Sequence, residues 1–320
     1  MYDVITVGSA AVDAFVNTGS QLFKKSRLKN CVKVPFGSKI LVEELNFEIG
    51  GAGTNIAVAV SRLGLKTAFI GSIGLGTNSQ RVLTLLEKEK VDTDLIQKGE
   101  GRTGFSVILD AYHRDRTILV FKGSNDNLNF NNIPKQKLKT KWFYFSSMLN
   151  QSLETQKKLA EYAFKNKIKI AYNPSSYLIK KQKQQVKNIL KKTKILILNR
   201  EEAYDLVGRN KIKTLMNNLL KLGPELVVVT DGPYEVYASE GKHIYSLCPQ
   251  KIKPLETTGA GDAFSSGFLA GIIKKQDIEF ALKLGLVNSQ SVILHYGAKN
   301  KLLTYKEALN RMKNITITKE

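Results

Sequence analysis

Lys251-Ile252-Lys253-Pro254-Leu255-Glu256-Thr257-Thr258-Gly259-Ala260-Gly261-Asp262 passes through three small residues and enters an apolar helix, Ala263-Phe264 to Ile273. Gly and Ala at 259 to 261 let the backbone turn tightly and let a ligand come close. The first N–H groups of a helix lack intrahelical acceptors, so they can hold anionic oxygens, and the helix dipole adds partial positive charge there. Asp262, in the first turn, can accept a proton from an attacking hydroxyl. Alignment, charge stabilisation and a base are what phosphoryl transfer asks of a protein. Read alone, small residues followed by Asp also cap helices that bind nothing.

Outward from this segment, strand-like apolar runs alternate with helix-length segments. The runs include Val4 to Val7, Thr67 to Ile70, Trp142 to Phe145, Ile168 to Tyr172, Ile195 to Leu198 and Leu226 to Thr230. Between them lie Thr54 to Leu63, Gln80 to Glu89, Leu153 to Asn166, Gln182 to Lys191 and Lys211 to Leu222. This alternation predicts an α/β fold, a doubly wound, mostly parallel sheet with helices on both faces. Two stretches break it, Phe15 to Ile49 and Gly101 to Phe121. The second reads as two strands, Gly104 to Asp110 and Thr117 to Phe121, joined by a polar turn around His113-Arg114-Asp115. Strands inserted between βα units cannot easily join the parallel sheet, so we expect a small separate β-sheet from segments 15–49 and 101–121. Such a sheet is a candidate lid, or a surface hairpin that covers nothing, on a single domain spanning 1–320.

Gly50-Gly51-Ala52-Gly53-Thr54-Asn55 is a second glycine-rich helix start, followed by the helix to Leu63, Gly64 and the strand Thr67-Ala68-Phe69-Ile70. Asn55 offers both a donor and an acceptor, which suits a hydroxyl-rich ligand. The dinucleotide fingerprint is excluded, because no acidic residue ends the next strand at the required place. Asp13, after the first strand, can accept bonds from two vicinal hydroxyls, or can simply be solvated in a loop.

Taken together, Gly8-Ser9 with Asp13, Gly50 to Asn55 and Thr257 to Asp262 resemble the ribokinase (phosphofructokinase B) family of sugar and nucleoside kinases across nearly the whole chain. The resemblance implies an ATP-dependent carbohydrate kinase with a β-sheet lid, requiring ATP and Mg²⁺. By it, Asp262 is the base, and Gly259, Ala260 and Gly261 form an anion hole. Asp13, Gly50, Gly51 and Asn55 match the acceptor-binding positions. Asn199-Arg200-Glu201-Glu202 looks like the family's Asn-x-x-Glu, with Asn199 toward ATP and Glu202 organising Mg²⁺ through water, though this spacing also starts ordinary helices. Thr230-Asp231-Gly232 looks like the nucleotide-contacting turn, and Thr258, Gly261 and Asn288 complete the ATP side. A plain turn explains 230 to 232 nearly as well, and Asn288 can equally face solvent. Glu256 stands where the family usually has Asp, in a region resembling its monovalent-cation loop, which leaves K⁺ dependence open. Around Phe145-Ser146-Ser147-Met148 and Asn173-Pro174-Ser175 the chain departs from the family, so acceptor identity is not carried over.

A formal net charge of +21 raises the question of a polyanionic partner. The basic residues are 40 Lys and 9 Arg, the reverse of the Arg-rich composition that reads phosphates and bases, and the lysines spread over helix surfaces. Nucleic acid is therefore disfavoured. No basic, apolar leader and no membrane-length run occurs, and Cys31 and Cys248 form no framework, so we expect a cytoplasmic protein. The acceptor reads as a sugar, with a nucleoside as the alternative. Phe15, Phe23, Phe36 and Phe105 could stack on a base or fill the lid's own core. A non-catalytic ligand sensor or a nucleic-acid-binding protein on the same fold is the rival from another class. A homodimer through the lid is implied by resemblance alone.

Overall fold

Apolar, β-branched runs become the strands of this chain, and segments of helical period lie between them. In a computed structural model describing residues 1–17, 36–110 and 116–320, strands β1 to β5 are Tyr2–Val7, Ala11–Asn17, Glu44–Gly50, Thr67–Ile70 and Ser72–Leu75. Strands β6 to β10 are Gln97–Arg102, Gly104–Asp110, Arg116–Phe121, Thr140–Phe145 and Lys169–Tyr172. Strands β11 to β15 are Ile195–Asn199, Leu226–Thr230, Val236–Ser239, Ile244–Leu247 and Thr318–Lys319. Helices α1 to α5 are Ala52–Arg62, Thr77–Lys88, Asn150–Lys165, Ser175–Leu190 and Arg200–Val207. Helices α6 to α9 are Ile212–Leu220, Ala260–Lys275, Ile278–Val292 and Tyr305–Arg311. Phe23, Cys31, most of the segment 15–49 and the turn His113 to Asp115 lie outside the described residues.

The main sheet has nine strands in the order β15-β14-β13-β12-β11-β10-β9-β1-β4. From β12 to β4 every pairing is parallel, and β13, β14 and β15 extend it antiparallel. Both faces are covered, and the period of two along β9 shows how. Phe143 and Phe145 point into one apolar layer with Leu159, Ile189 and Leu206 of α3, α4 and α5. Trp142 and Tyr144 point into the opposite layer with Ile56, Phe268 and Leu284 of α1, α7 and α8. The fold is the expected doubly wound α/β architecture.

A separate four-stranded sheet has the order β3-β2-β7-β8, with β2–β7 parallel and the outer pairs antiparallel. It begins at Ala11, four residues before the expected boundary. Only Gly8-Ser9-Ala10 separates β1 from β2, and no turn residue marks Phe15. Asp13 consequently lies inside a strand of this sheet, paired with Glu48 and Ser106, rather than in the loop after β1. β5 and β6 form a further two-stranded sheet that the polar run of β6 did not announce. Several helices start earlier than their apolar period. α4 begins at Ser175 and breaks at Gln182, where φ is −137° and ψ 39°, so only its second half reads as one periodic face. Among the described residues no helix is long and apolar enough to cross a membrane.

Candidate active site

The start of α1 is wedged against the crossing from β1 to β2. Gly51 has φ +93°, and a Cβ there would stand 2.6 Å from the Ser9 carbonyl oxygen. A Cβ on Gly53 would lie 2.7 Å from the Gly8 carbonyl carbon, so only glycine lets these backbones touch. Thr54 Oγ1 donates to the Gly50 carbonyl at 2.7 Å and steadies the turn. This packing aims Asn55, a buried side chain, at the start of α7. Its Nδ2 donates to Asp262 Oδ2 at 2.7 Å. Beside it, the Asp13 carboxylate occupies the space that a Gly50 side chain would need, 1.8 Å from the would-be Cβ. Burial pushes the Asp13 carboxyl above its ordinary range, while a Ser106 hydrogen bond and the Lys299 ammonium oppose that rise.

At α7, Gly259 has φ +80° and packs on Ala298, whose Cβ would be 2.3 Å from a side chain at 259. Gly261 differs. Nothing lies within 4 Å of where its Cβ would be, so this first turn faces open space. Asp262 is half-buried beside it and its pKa is pushed up to about 6, chiefly by burial. The Asn55 hydrogen bond and the Lys299 charge pull it back, and Glu202 pushes it up further. It is thus ionised at neutral pH, yet basic enough to take a proton.

A cavity of about 210 Å³ joins Asp262, Gly259 and Gly261 to Asn199, Glu202 and Thr230, with Asn173 and Ser265 also on its wall. Asn199 and Glu202 form a reciprocal cap on α5: Asn199 Oδ1 accepts from the Glu202 amide at 2.8 Å, and Glu202 Oε2 accepts from the Asn199 amide at 2.9 Å. Glu202 Oε1 accepts from Ser176 Oγ at 3.2 Å. Burial raises its pKa despite these bonds. The motif therefore caps α5 and also lines the cavity. Thr258 brings a buried hydroxyl with no partner among the described residues, and its amide donates to Glu256 Oε1 at 3.1 Å. Glu256 Oε2 accepts from the Gly297 amide at 3.1 Å, so this carboxylate ties the approach to α7 to the 297 turn. Among the described residues no group of three or more His, Cys, Asp or Glu side chains is arranged to hold a metal ion.

Three expected nucleotide positions, Gly232, Thr258 and Asn288, fall outside the cavity wall. Gly232 is exposed in the β12–β13 turn, with φ +56°. Asn288 is fully buried, which corrects the alternative that it faces solvent, and it does not line this cavity. Its Nδ2 donates to the Ala263 carbonyl at 2.9 Å and its Oδ1 accepts from the Leu303 amide at 3.1 Å, which ties α7, α8 and the approach to α9. The sequence reading missed Lys299. It is buried, donates to the Ile49 carbonyl at 2.6 Å and bonds Asn55 Oδ1. Nothing around Gly297-Ala298-Lys299-Asn300-Lys301 distinguishes it from the surface lysines. Ser176 was missed too, since the early start of α4 is what brings it to Glu202.

A sequence profile for the pfkB family of carbohydrate kinases matches residues 4–304. A sugar kinase of uncharacterised role from Archaeoglobus fulgidus is 31% identical over 250 residues, covering 77% of this chain and 98% of that protein. Among solved structures, a candidate ribokinase II from E. coli in complex with ATP and Mg²⁺ superposes with a TM-score of 0.84 at 17% identity, over 98% of this chain and 99% of that one. A nucleoside kinase from Methanocaldococcus jannaschii, an archaeal member of the ribokinase family, gives a TM-score of 0.82 at 18% identity, over 98% of both chains. At such identities the two structures speak to the fold alone.

Proposed function

The chain belongs to the pfkB family of carbohydrate kinases, and from that premise we propose that it moves the γ-phosphoryl group of ATP to a sugar hydroxyl with Asp262 as general base. One observation carries the assignment: Asp262 is bonded at 2.7 Å to Asn55 of the first glycine segment and adjoins the open first turn of the second. A single carboxylate therefore stands where an acceptor hydroxyl and a phosphoryl group would meet. The hydroxyl oxygen forms the new bond to phosphorus as the bond to the β,γ-bridging oxygen breaks. The hydroxyl proton passes to Asp262, and ADP leaves. The amides of Gly259 to Gly261 stabilise the equatorial phosphoryl oxygens, and Asp13 and Asn55 orient the acceptor.

The donor set suits the nucleotide: open space over Gly261, an unpartnered Thr258 hydroxyl, and Thr230 and Asn199 on the same wall. Glu202 and Asn199 would hold Mg²⁺ through its water, and the bound ion supplies neutralisation of phosphate charge. Turnover compared in potassium and tetramethylammonium buffers tests whether the Glu256 loop recruits a monovalent cation. We assign the small sheet the role of a lid, because Asp13 and Glu48 on its strands act electrostatically on the buried Lys299 ammonium. Its opposite face exposes Phe47 and Leu119, in register across β3-β2-β7-β8, which supports pairing with a second copy. Light scattering on the wild type and on Phe47→Asp tests that pairing. Two cysteines, Cys31 and Cys248, too few for a disulfide framework, support a cytoplasmic setting.

The deciding experiment is an ADP-release screen with Mg-ATP over ribose, fructose, sugar phosphates, adenosine and cytidine. A sugar is expected to turn over, and selective turnover of a nucleoside would replace that reading. Full turnover by Asp262→Asn on the true acceptor would remove the base assignment.

A further inference from the structure

Lys299 is the most enclosed cation near the site. It is 6% exposed, and its ammonium bonds the Ile49 carbonyl at the end of β3 and Asn55 Oδ1 in α1. The carboxylates of Asp13, Asp262 and Glu48 act on it from β2, α7 and β3, and Arg62 on α1 opposes them. A lysine removed from water to this extent is stable only beside such charges. Its position therefore depends on both halves of the site at once.

An ammonium has donors and no acceptor, so the Asn55 side chain can meet it only through Oδ1. That choice fixes the amide orientation and forces Nδ2 toward Asp262, which it reaches at 2.7 Å on Oδ2. Oδ1 of Asp262 is then the oxygen left to meet a hydroxyl. Without the ammonium the Asn55 amide could turn over, presenting an acceptor to the carboxylate in place of a donor.

We propose that Lys299 is a positioning residue for phosphoryl transfer, setting the Asn55 amide and, through it, the orientation and ionisation of Asp262. The proposal rests on Asp262 being the base. The groups acting on Asp262 are Asn55 and Lys299, which favour its ionised form, and Glu202, which disfavours it. Loss of Lys299 thus moves the Asp262 pKa upward from about 6. Burial lowers the Lys299 pKa to about 8, so its charge is lost on the alkaline side.

The test is a steady-state pH profile of Lys299→Met beside the wild type, with ATP and acceptor varied separately. The expected outcome is kcat reduced about 10- to 100-fold at pH 7, KM for ATP changed less than about twofold, and the acid limb shifted to higher pH. A variant with kcat within about twofold of wild type and an unmoved acid limb overturns the proposal. Should Lys299→Met fail to fold, the wild-type profile decides. A fall in kcat above about pH 8 supports the proposal, and a plateau continuing to pH 10 overturns it. Asp262→Asn runs in the same assay: if it retains full turnover the base assignment itself fails. If it is inactive while Lys299→Met is normal, only the role of Lys299 fails.

Discussion

Gly53, in the first turn of α1, has the Gly8 backbone 2.7 Å from where its side chain would begin, whereas Gly261, in the first turn of α7, has nothing within 4 Å. Both belong to glycine-rich helix starts, about 200 residues apart, that look alike as strings of letters. At α1 the small residues are filled by the protein's own backbone, so what reaches the site is Asn55. At α7 the space over Gly261 is left open, and that opening on the first turn is itself the feature. Glycine thus lets a helix start meet the β1–β2 crossing in one case and leaves room for a ligand in the other.

The largest effect is expected where the two starts meet. Asp262→Asn should lower kcat by about 10²- to 10⁴-fold, measured by ADP release on the identified acceptor. The same variant should melt higher than wild type at pH 8 and equally at pH 4. The folded pKa of Asp262 is raised to about 6, so the fold favours the protonated carboxyl, and that contribution is lost as pH rises through 6. Gly53→Ala should cost about 3 kcal/mol or more in urea unfolding, since a methyl meets Phe69 and the Gly8 backbone below 3 Å. Gly261→Ala should leave the unfolding free energy in urea within about 0.5 kcal/mol of wild type yet raise KM for ATP about tenfold, because the methyl enters the open space alone. If Gly53→Ala unfolds like wild type, or Gly261→Ala binds ATP normally, the contrast between the two starts is broken. The smallest effect is expected at Asn199→Ala, about 1 kcal/mol of stability from the lost α5 cap, with a larger relative loss in ATP affinity from its place on the cavity wall.

The parallel sheet was legible because buried strands such as Val4 to Val7 and Ile195 to Leu198 write their environment directly as continuous apolar runs. Asp262, Gly259 and Gly261 were legible for a related reason: tight turning and a first-turn carboxylate need particular residues at fixed spacing. Legibility fails where position depends on distant chain. Asn288 lies on α8, a helix covered all round, whose period could not say which neighbour its amide would meet, and it meets Ala263 and Leu303. Lys299 is one lysine among forty, and only the convergence of Ile49, Asn55 and Asp262 sets it apart. β6, with the sequence QKGEGR, has no alternation to read and is a strand through its backbone pairing with β5.

Asp13 lies within β2, pressed into the notch left by Gly50 on β3. On the proposed reading, a sugar gripped by that carboxylate is gripped by the cover of the site and not by its floor. Acceptor affinity and closure are then one equilibrium: every hydrogen bond that an acceptor makes to Asp13 also biases the population of covered molecules. A weakly held analogue would leave the chamber ajar and expose bound ATP to water, so selectivity among acceptors would show first as a difference in wasted hydrolysis.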